Sequence, residues 1–162
     1  MLVKMVSNIY LNKIASSIST YRGTFSCDDL INVETRPGMN TCIVNLSRLG
    51  ETGSHFTAVS INIPSTGEPE CSYFDSFGIE CGNDYIKSYI RSFSHSYSYS
   101  TVQLQPYTSQ HCGLYCLAYV ITCEMGKDML YFLEHFNSTD IHANDRIVTN
   151  YINHYFKSIN KS

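Results

Sequence analysis

The feature that most constrains the fold is an apolar segment in the C-terminal half of the chain, which runs from Cys112 to Cys123 and is interrupted only by Thr122. A helix built from this segment is apolar on all faces, so it is stable only when it is buried on all sides. The segment is too short to span a bilayer, which requires about 20 apolar residues. We therefore expect a buried helix over 112–125, ended by Gly126, around which the core is built.

The composition is that of one globular domain with a small charged fraction. A chain of 162 residues supports one hydrophobic core, so we expect a single domain over residues 1–162. Hydrophobic residues make up 43% and aromatic residues 13% of the chain, which excludes disorder for most of it. The 11 basic and 14 acidic residues give a net charge of −3, which disfavours a strongly basic nucleic-acid-binding protein.

The cysteines and the N-terminus indicate the compartment. There are seven cysteines, an odd number, and no Cys-x-x-Cys pair, so zinc ribbons and thioredoxin-type sites have no support. The N-terminal segment has neither the apolar stretch nor the cleavage site of a signal peptide, so we expect free thiols in a reducing, intracellular setting and no membrane association. A zinc site from His111, Cys112 and Cys116 is possible, but the spacing matches no common structural zinc motif, and we expect no cofactor.

The pattern of apolar residues predicts strands and helices in separate groups. Strands are expected at 42–46, 56–63, 71–74 and 94–104. Helices are expected at 3–18, 84–93, 112–125, 127–136 and 144–156, with a loop at 23–40. Because the strands are grouped rather than alternating with helices, the pattern favours the α+β class.

Four residues form a candidate catalytic set. His55 would open one strand and Asp75 would close the next, and since paired strands lie about 5 Å apart, the carboxylate could reach the imidazole. Cys112 would lie in the first turn of the buried helix, where unsatisfied N–H groups and the helix dipole favour a thiolate. Gln105, in the preceding loop, could donate its amide hydrogen to an oxyanion beside the backbone N–H of Cys112.

Each of these residues also has an ordinary structural interpretation. His55 could be a polar strand end and Asp75 a turn residue. Cys112 could be a core residue, as Cys116 is expected to be, and Gln105 a loop amide. Residue types and spacing alone therefore leave a cysteine hydrolase as one hypothesis among several.

The segments around the four residues resemble adenain, the adenovirus maturation protease, over roughly residues 20 to 125. The stretch C-I-V-N-L-S-R-L-G-E-T-G-S-H, ending at His55, is similar to the family's C-x-I-V-N, R-E-T-G-G and His-Trp elements. The stretch F-D-S-F-G around Asp75 is similar to F-E-P-F-G, and Q-P-Y-T-S-Q-H-C-G-L-Y-C is similar to Q-G-P-N-S-A-A-C-G-L-F-C. Gly23-Thr24-Phe25 is similar to an upstream G-T-Y. The order His, Asp, Gln, Cys also fits the clan that contains the SUMO-specific proteases, and it excludes papain.

The departures from the family pattern are specific. Asp75 stands where adenoviral enzymes usually have Glu, and Asp is the residue used in the SUMO-protease branch. Phe56 replaces the Trp that usually follows the histidine. The spacing from Gln105 to Cys112 is one residue longer than in SUMO proteases, as in adenain. No cysteine lies between Gly82 and His111, the interval in which the adenoviral enzyme forms a disulfide with its activating peptide.

The resemblance implies an adenain-like α+β fold, with a mixed central sheet flanked by helices. It implies a thiol endopeptidase from a DNA virus or virus-like element, with His55, Asp75 and Cys112 as the triad and Gln105 in the oxyanion hole. The implied substrates are capsid or core precursors, cleaved at small, Gly-containing sites during virion maturation, in the host cell and in the virion. The departures from the family imply that the enzyme is either active alone or activated by a non-covalently bound peptide, and that DNA binding is absent or weak. A protease of ubiquitin-like modifiers and a catalytically inactive capsid-binding module remain alternatives.

Overall fold

A five-stranded mixed sheet forms the centre of the computed structural model, which describes residues 7–52 and 54–162. The strands are β1 Tyr21–Ser26, β2 Gly38–Asn45, β3 Phe56–Ile63, β4 Glu70–Phe74 and β5 Ser98–Tyr99, and they lie side by side in that order. β1 is parallel to β2 and β4 is parallel to β5, whereas the β2–β3 and β3–β4 pairs are antiparallel. The α+β class and the mixed sheet are therefore confirmed.

Helices cover both faces of the sheet. They are α1 Asn8–Ala15, α2 Asp84–Arg91, α3 Cys112–Glu124, α4 Met129–Leu133 and α5 Asn144–Ile159, with short 3-10 helices at Cys27–Asn32 and Ile141–Ala143. The side chains of Ser7, Asn83 and Asp128 accept backbone hydrogen bonds at the starts of α1, α2 and α4, which explains where these helices begin. The helix expected over 3–18 is therefore shorter, and residues 1–6 lie outside the described residues.

Alternating side chains of the strands divide the apolar residues into two cores. Ile43, Ala58 and Phe74 face α3, and α1, α4 and α5 complete that core. Their neighbours Val44, Val59 and Tyr73 point to the other face, where the 3-10 helix at Cys27–Asn32 and α2 cover them. This period of two is the one expected for strands buried on both faces.

The predicted buried helix is confirmed as α3. Every residue from Tyr115 to Cys123 is buried, and the Thr122 hydroxyl donates to the carbonyl oxygen of Ala118 at 2.9 Å, so its polar group is satisfied. Gly126 follows the helix with a φ of 71°, a left-handed conformation that glycine adopts without strain. In the described part of the chain, no helix is both long and apolar enough to cross a bilayer.

Two expectations about strands were wrong. The loop expected at 23–40 contains most of β1, the 3-10 helix and the start of β2, because β1 gains its order by parallel pairing with β2 rather than from local propensity. The strand expected at 94–104 shrinks to the two residues of β5, which pair only with Ser72 and Tyr73. After β5 the chain leaves the sheet, and the backbone N–H groups of Leu104 and Gln105 both donate to the carbonyl oxygen of Ser76.

Candidate active site

The start of β3 and the end of β4 bring two of the candidate residues together at one end of the sheet. His55 immediately precedes β3 and Asp75 immediately follows β4. The two strands are antiparallel, with Ala58 opposite Phe74, so the flanking residues meet. Nε2 of His55 lies 3.0 Å from Oδ1 of Asp75, whose side chain is only 4% exposed. The carboxylate can therefore fix the orientation of the ring and stabilise an imidazolium.

The third candidate, Cys112, is the first residue of α3. Cys112 lines the same cleft as His55 and Phe56, so the thiol, the imidazole and the start of β3 lie next to one another. The first-turn N–H groups of a helix have no partner within the helix, and the helix dipole adds a partial positive charge there. Only 8% of Cys112 is exposed, so these interactions act with little competition from water.

The two partners shift each other's pKa in opposite directions. Burial alone would lower the pKa of His55, but the hydrogen bonds and negative charges of Asp75 and Cys112 outweigh burial and raise it from 6.5 to about 9. Burial alone would raise the pKa of the Cys112 thiol, but the contacts with His55, Phe56 and Gly113 outweigh burial and lower it. Both shifts favour the thiolate–imidazolium pair, which is the nucleophilic form of such a site.

The turn after β4 holds the carboxylate and also one face of the imidazole. Oδ1 of Asp75 accepts a second hydrogen bond from the backbone N–H of Phe77 at 2.8 Å. The Phe77 ring stacks on His55 with centroids 4.9 Å apart, and Tyr107, which is 75% exposed, stacks on Phe77 at 5.4 Å. The imidazole is therefore held at its edge by Asp75 and on one face by an aromatic stack.

Gly78 makes this turn possible. Its φ is 70°, and its N–H donates to the carbonyl oxygen of Asp75 at 2.9 Å. A Cβ at this position would lie 2.7 Å from the backbone oxygen of Thr101. Both the left-handed conformation and the close approach of the 101–102 backbone therefore require glycine after Phe77.

Gln105 is buried beside the same turn. Its Oε1 accepts a hydrogen bond from the Ser76 hydroxyl at 2.5 Å, and only 1% of the residue is exposed. Its Nε2 donates to the carbonyl oxygen of Ser109 at 2.9 Å and lies 3.4 Å from the Ser109 hydroxyl. The amide thus makes one good hydrogen bond, to the Ser109 carbonyl oxygen, and one long contact, to the Ser109 hydroxyl.

A cleft opens beside the candidate nucleophile. It has a volume of about 400 Å³ and is lined by His55, Phe56 and Cys112, by the ends of β1 and β2, by the 47–51 segment and by the first residues of α1. The exposed side chain of Leu49 forms part of its wall. Gly53, the glycine of the Glu-Thr-Gly element, lies outside the described residues.

The sequence analysis missed Asn144 and Asp145, which begin α5 and contact the 104–111 loop. Nδ2 of Asn144 donates to the carbonyl oxygen of Leu104, and Asp145 accepts from the Ser109 hydroxyl, both at 2.9 Å. No local pattern could have identified them, since an Asn-Asp pair at a helix start is common and its partners lie far away in sequence.

His111, the residue before Cys112, belongs to the same polar group as Ser109 and Asp145. Its Nδ1 lies 3.1 Å from Oδ2 of Asp145, and so the ring faces α5. Among residues 7–52 and 54–162, no three His, Cys, Asp or Glu side chains are grouped so that they could hold a metal ion.

The sequence matches no family model and no curated protein. The fold, in contrast, is similar to that of the ASFV pS273R protease, with a TM-score of 0.57 and 15% identity over 88% of this chain and 66% of that chain. A selenomethionine form of the ASFV pS273R protease matches with a TM-score of 0.51 and 14% identity, over 86% and 64% of the two chains. A de-sumoylating protease matches with a TM-score of 0.45 and 13% identity, over 91% and 70%. The chain spans about two thirds of the length of the ASFV proteases and shares their fold.

Proposed function

We propose that the protein is a thiol endopeptidase in which Cys112 is the nucleophile, His55 the general base and acid, and Asp75 the group that orients His55. The observation that carries the proposal is the placement of the three side chains, with the pKa of the thiol lowered and that of the imidazole raised. A buried structural cysteine behaves differently, as Cys116 illustrates: it is fully buried one turn further along α3, and burial raises its pKa well above the usual value.

The reaction follows from this arrangement. The Cys112 thiolate attacks the scissile carbonyl carbon, and the imidazolium of His55 gives its proton to the leaving amine as the C–N bond breaks. A water molecule then loses a proton to the neutral imidazole and attacks the thioester. Cleavage of the C–S bond releases the carboxylic acid and restores the thiolate–imidazolium pair. Asp75 holds the ring in place throughout and stabilises its positive charge.

The oxyanion that forms in both steps needs donors close to Cys112. The proposed donors are the backbone N–H of Cys112 at the start of α3 and the amide of Gln105, whose 3.4 Å contact with the Ser109 hydroxyl is long enough to be exchanged for an oxyanion. The first amide hydrogen of Gln105, bound to Ser109, fixes the plane of the amide. Gln105 therefore acts in the transition state and contributes little to ground-state binding.

For the substrates, we propose capsid or core precursor proteins, cleaved at small, Gly-containing sites during virion maturation in the host cell and virion. The motifs around His55, Asp75 and Cys112 support a viral maturation protease by their resemblance to adenain, and the fold shared with the ASFV protease supports a protease. The aromatic stack of Phe77 and Tyr107 on His55 supports a preference for small residues, because bulky rings next to the base leave little room for a large substrate side chain. A peptide activator would bind non-covalently, and the net charge of −3 opposes strong DNA binding.

A protease of ubiquitin-like modifiers is the second candidate, and Asp75 is the observation that favours it, since adenoviral enzymes usually carry Glu there. Both candidates use the same chemistry and cleave after glycine, so they differ only in the protein they recognise. An inactive capsid-binding module is disfavoured, because such a protein would not need the lowered thiol pKa of Cys112.

A cleavage assay tests these proposals. The wild-type protein is incubated separately with a Gly-Gly fluorogenic peptide, precursor proteins from a double-stranded DNA virus, and ubiquitin-like fusions. Cys112→Ala is the inactive control, and Cys116→Ala is the matched thiol control. We expect the peptide and the precursors to be cleaved by the wild type and by Cys116→Ala. Cleavage restricted to the modifier fusions would establish the second candidate. No cleavage of any substrate, together with an unreactive Cys112 thiol, would leave the inactive module.

A further inference from the structure

The loop that carries Gln105 towards α3 is attached at its first residue to the start of α5. Asn144 is fully buried, and its Nδ2 donates to the carbonyl oxygens of Leu104 and Asn137, both at 2.9 Å. Its Oδ1 accepts from the backbone N–H of Asn137 at 2.7 Å. Three hydrogen bonds thus fix this side chain, and one of them holds the residue immediately before Gln105.

The same loop is attached near its end by Asp145. Oδ1 accepts hydrogen bonds from the hydroxyls of Ser109 and Tyr115, both at 2.9 Å, and Oδ2 lies 3.1 Å from Nδ1 of His111. A carboxylate has acceptor sites for all three, and hydrogen bonds to a charged acceptor are the stronger kind. Asp145 therefore joins the loop, the residue before Cys112 and the first turns of α3 to α5.

The directions of the hydrogen bonds at the Ser109 hydroxyl can be assigned. The Ser109 hydroxyl has one hydrogen, which it gives to Asp145, and so its oxygen is an acceptor for the backbone N–H of His111 at 3.1 Å and for Nε2 of Gln105. Nδ1 of His111 lies 3.1 Å from Oδ2 of Asp145 and 3.2 Å from the Ser109 hydroxyl oxygen, so the ring belongs to the same polar group. Asp145 therefore orients the Ser109 hydroxyl so that its oxygen accepts the long contact from Gln105, in addition to the 2.9 Å hydrogen bond that Gln105 makes to the Ser109 carbonyl oxygen.

We propose that Asn144 and Asp145 are positioning residues, which hold the 104–111 loop so that the Gln105 amide and the Cys112 backbone N–H face the same oxyanion. This inference rests on the function proposed above and adds α5 to its active site. An oxyanion donor is effective only when it is already in place as charge develops, so a loop released at either attachment lowers turnover more than it weakens substrate binding.

The experiment measures kcat and KM of Asp145→Ala with the Gly-Gly peptide, together with the rate at which iodoacetamide alkylates Cys112. We expect kcat to fall by about tenfold and KM to change by less than about twofold. Alkylation should change by less than about twofold, because it depends on the His55–Asp75 pair, which Asp145 does not contact. A merely structural residue would lower kcat and alkylation together.

A double variant supplies the sharper readout. If Asp145 acts through Gln105, then in the Gln105→Ala protein the further change to Asp145→Ala should lower kcat by less than about twofold, since the donor is already gone. Asp128→Ala is the matched control, because Asp128 also accepts a hydrogen bond at a helix start but lies at α4. If the Asp145→Ala protein does not fold, Ser109→Ala is used in its place. This variant keeps the contacts of Asp145 with Tyr115 and His111.

The outcomes separate the two proposals. A wild-type enzyme that cleaves the peptide, with an unchanged kcat for Asp145→Ala or for its Ser109→Ala replacement, would overturn this inference and leave the proposed function intact. An equally large fall in kcat in the Gln105→Ala background would also overturn it. A wild-type protein that cleaves no substrate would overturn the proposed function and this inference with it.

Discussion

The ring of Phe77 stacks on the ring of His55 at a centroid distance of 4.9 Å with an interplanar angle of 22°. The backbone N–H of Phe77 also donates to the carboxylate of Asp75, which contacts the edge of the imidazole. One turn therefore controls both the position and the charge of His55. Because this turn follows β4 directly, the sheet itself sets the geometry of the candidate base.

Cys112 should be the thiol that reacts first in the native protein. Its pKa is lowered, whereas burial raises the pKa of Cys42 to about 12 and that of Cys116 well above its usual value. Mass spectrometry after brief iodoacetamide treatment should show alkylation of Cys112 together with loss of activity. Cys116→Ala should stay active and lose only about 1 kcal/mol of stability. Faster labelling of Cys42, with activity retained, would contradict the assignment.

Activity should depend on pH as expected for a thiolate–imidazolium pair. The pKa of His55 is raised, so the protonated ring and the stability it contributes are present at low pH and are lost as pH rises through about 9. The pKa of Cys112 is lowered, so its contribution is lost as pH falls through that lowered pKa. A plot of kcat/KM against pH should therefore be bell-shaped.

The Asp75→Asn variant tests whether His55 causes the loss of activity at high pH, which is the upper limb of the profile. Removing the negative charge next to the ring should move the upper limb to lower pH and reduce the maximum, while the amide still holds the ring. Asp128→Asn, a change of the same kind away from His55, should leave the profile in place. An upper limb that does not move in Asp75→Asn would show that another group titrates there.

Gln105→Ala should lower kcat by about 10² to 10³-fold, the usual cost of one oxyanion donor, with a much smaller change in KM. The change also removes the hydrogen bonds to Ser76 and Ser109, so thermal unfolding should be followed in parallel. Gln105→Glu retains an acceptor for Ser76 but not the donor, and it should be equally impaired. A rise in KM alone would instead assign Gln105 to substrate binding.

Gly78→Ala and Gly126→Ala form a matched pair, with φ values of 70° and 71°. Each substitution should cost about 1–2 kcal/mol for the left-handed conformation. Nothing lies within 4 Å of a Cβ at Gly126, whereas at Gly78 the Cβ would meet the Thr101 oxygen at 2.7 Å. Gly78→Ala should therefore lose more stability in urea unfolding and also lose activity, since the turn that holds Asp75 must shift. Equal stability losses would contradict the close approach.

Activity should require neither DNA nor a disulfide-linked peptide. No cysteine lies between Gly82 and His111, and 11 basic residues against 14 acidic ones provide little attraction for phosphates. Cleavage of the Gly-Gly peptide should be the same with and without duplex DNA at low salt, and it should not need an oxidised activator. A large rate increase with DNA that disappears at high salt would contradict this prediction.

Local sequence determined much of the fold and the candidate site. The all-apolar segment predicted α3, because an apolar helix surface has no stable position outside a core. Alternation in the 56–63 and 71–74 segments predicted the β3–β4 pair, and with it the meeting of His55 and Asp75. The resemblance of the motifs to a known family singled out Cys112 among seven cysteines, which residue types alone did not do.

Tertiary structure decided the remainder. Tyr21–Ser26 becomes a strand only because β2 offers it a pairing edge, and the alternating 94–104 segment stays mostly irregular because it must hold Gln105 against Ser76. The attachment of that loop to Asn144 and Asp145 joins residues far apart in the chain, and only the packing of α5 against α3 brings them together. Periodicity reports which faces of one element are buried, whereas a hydrogen bond between two distant polar side chains leaves no local pattern.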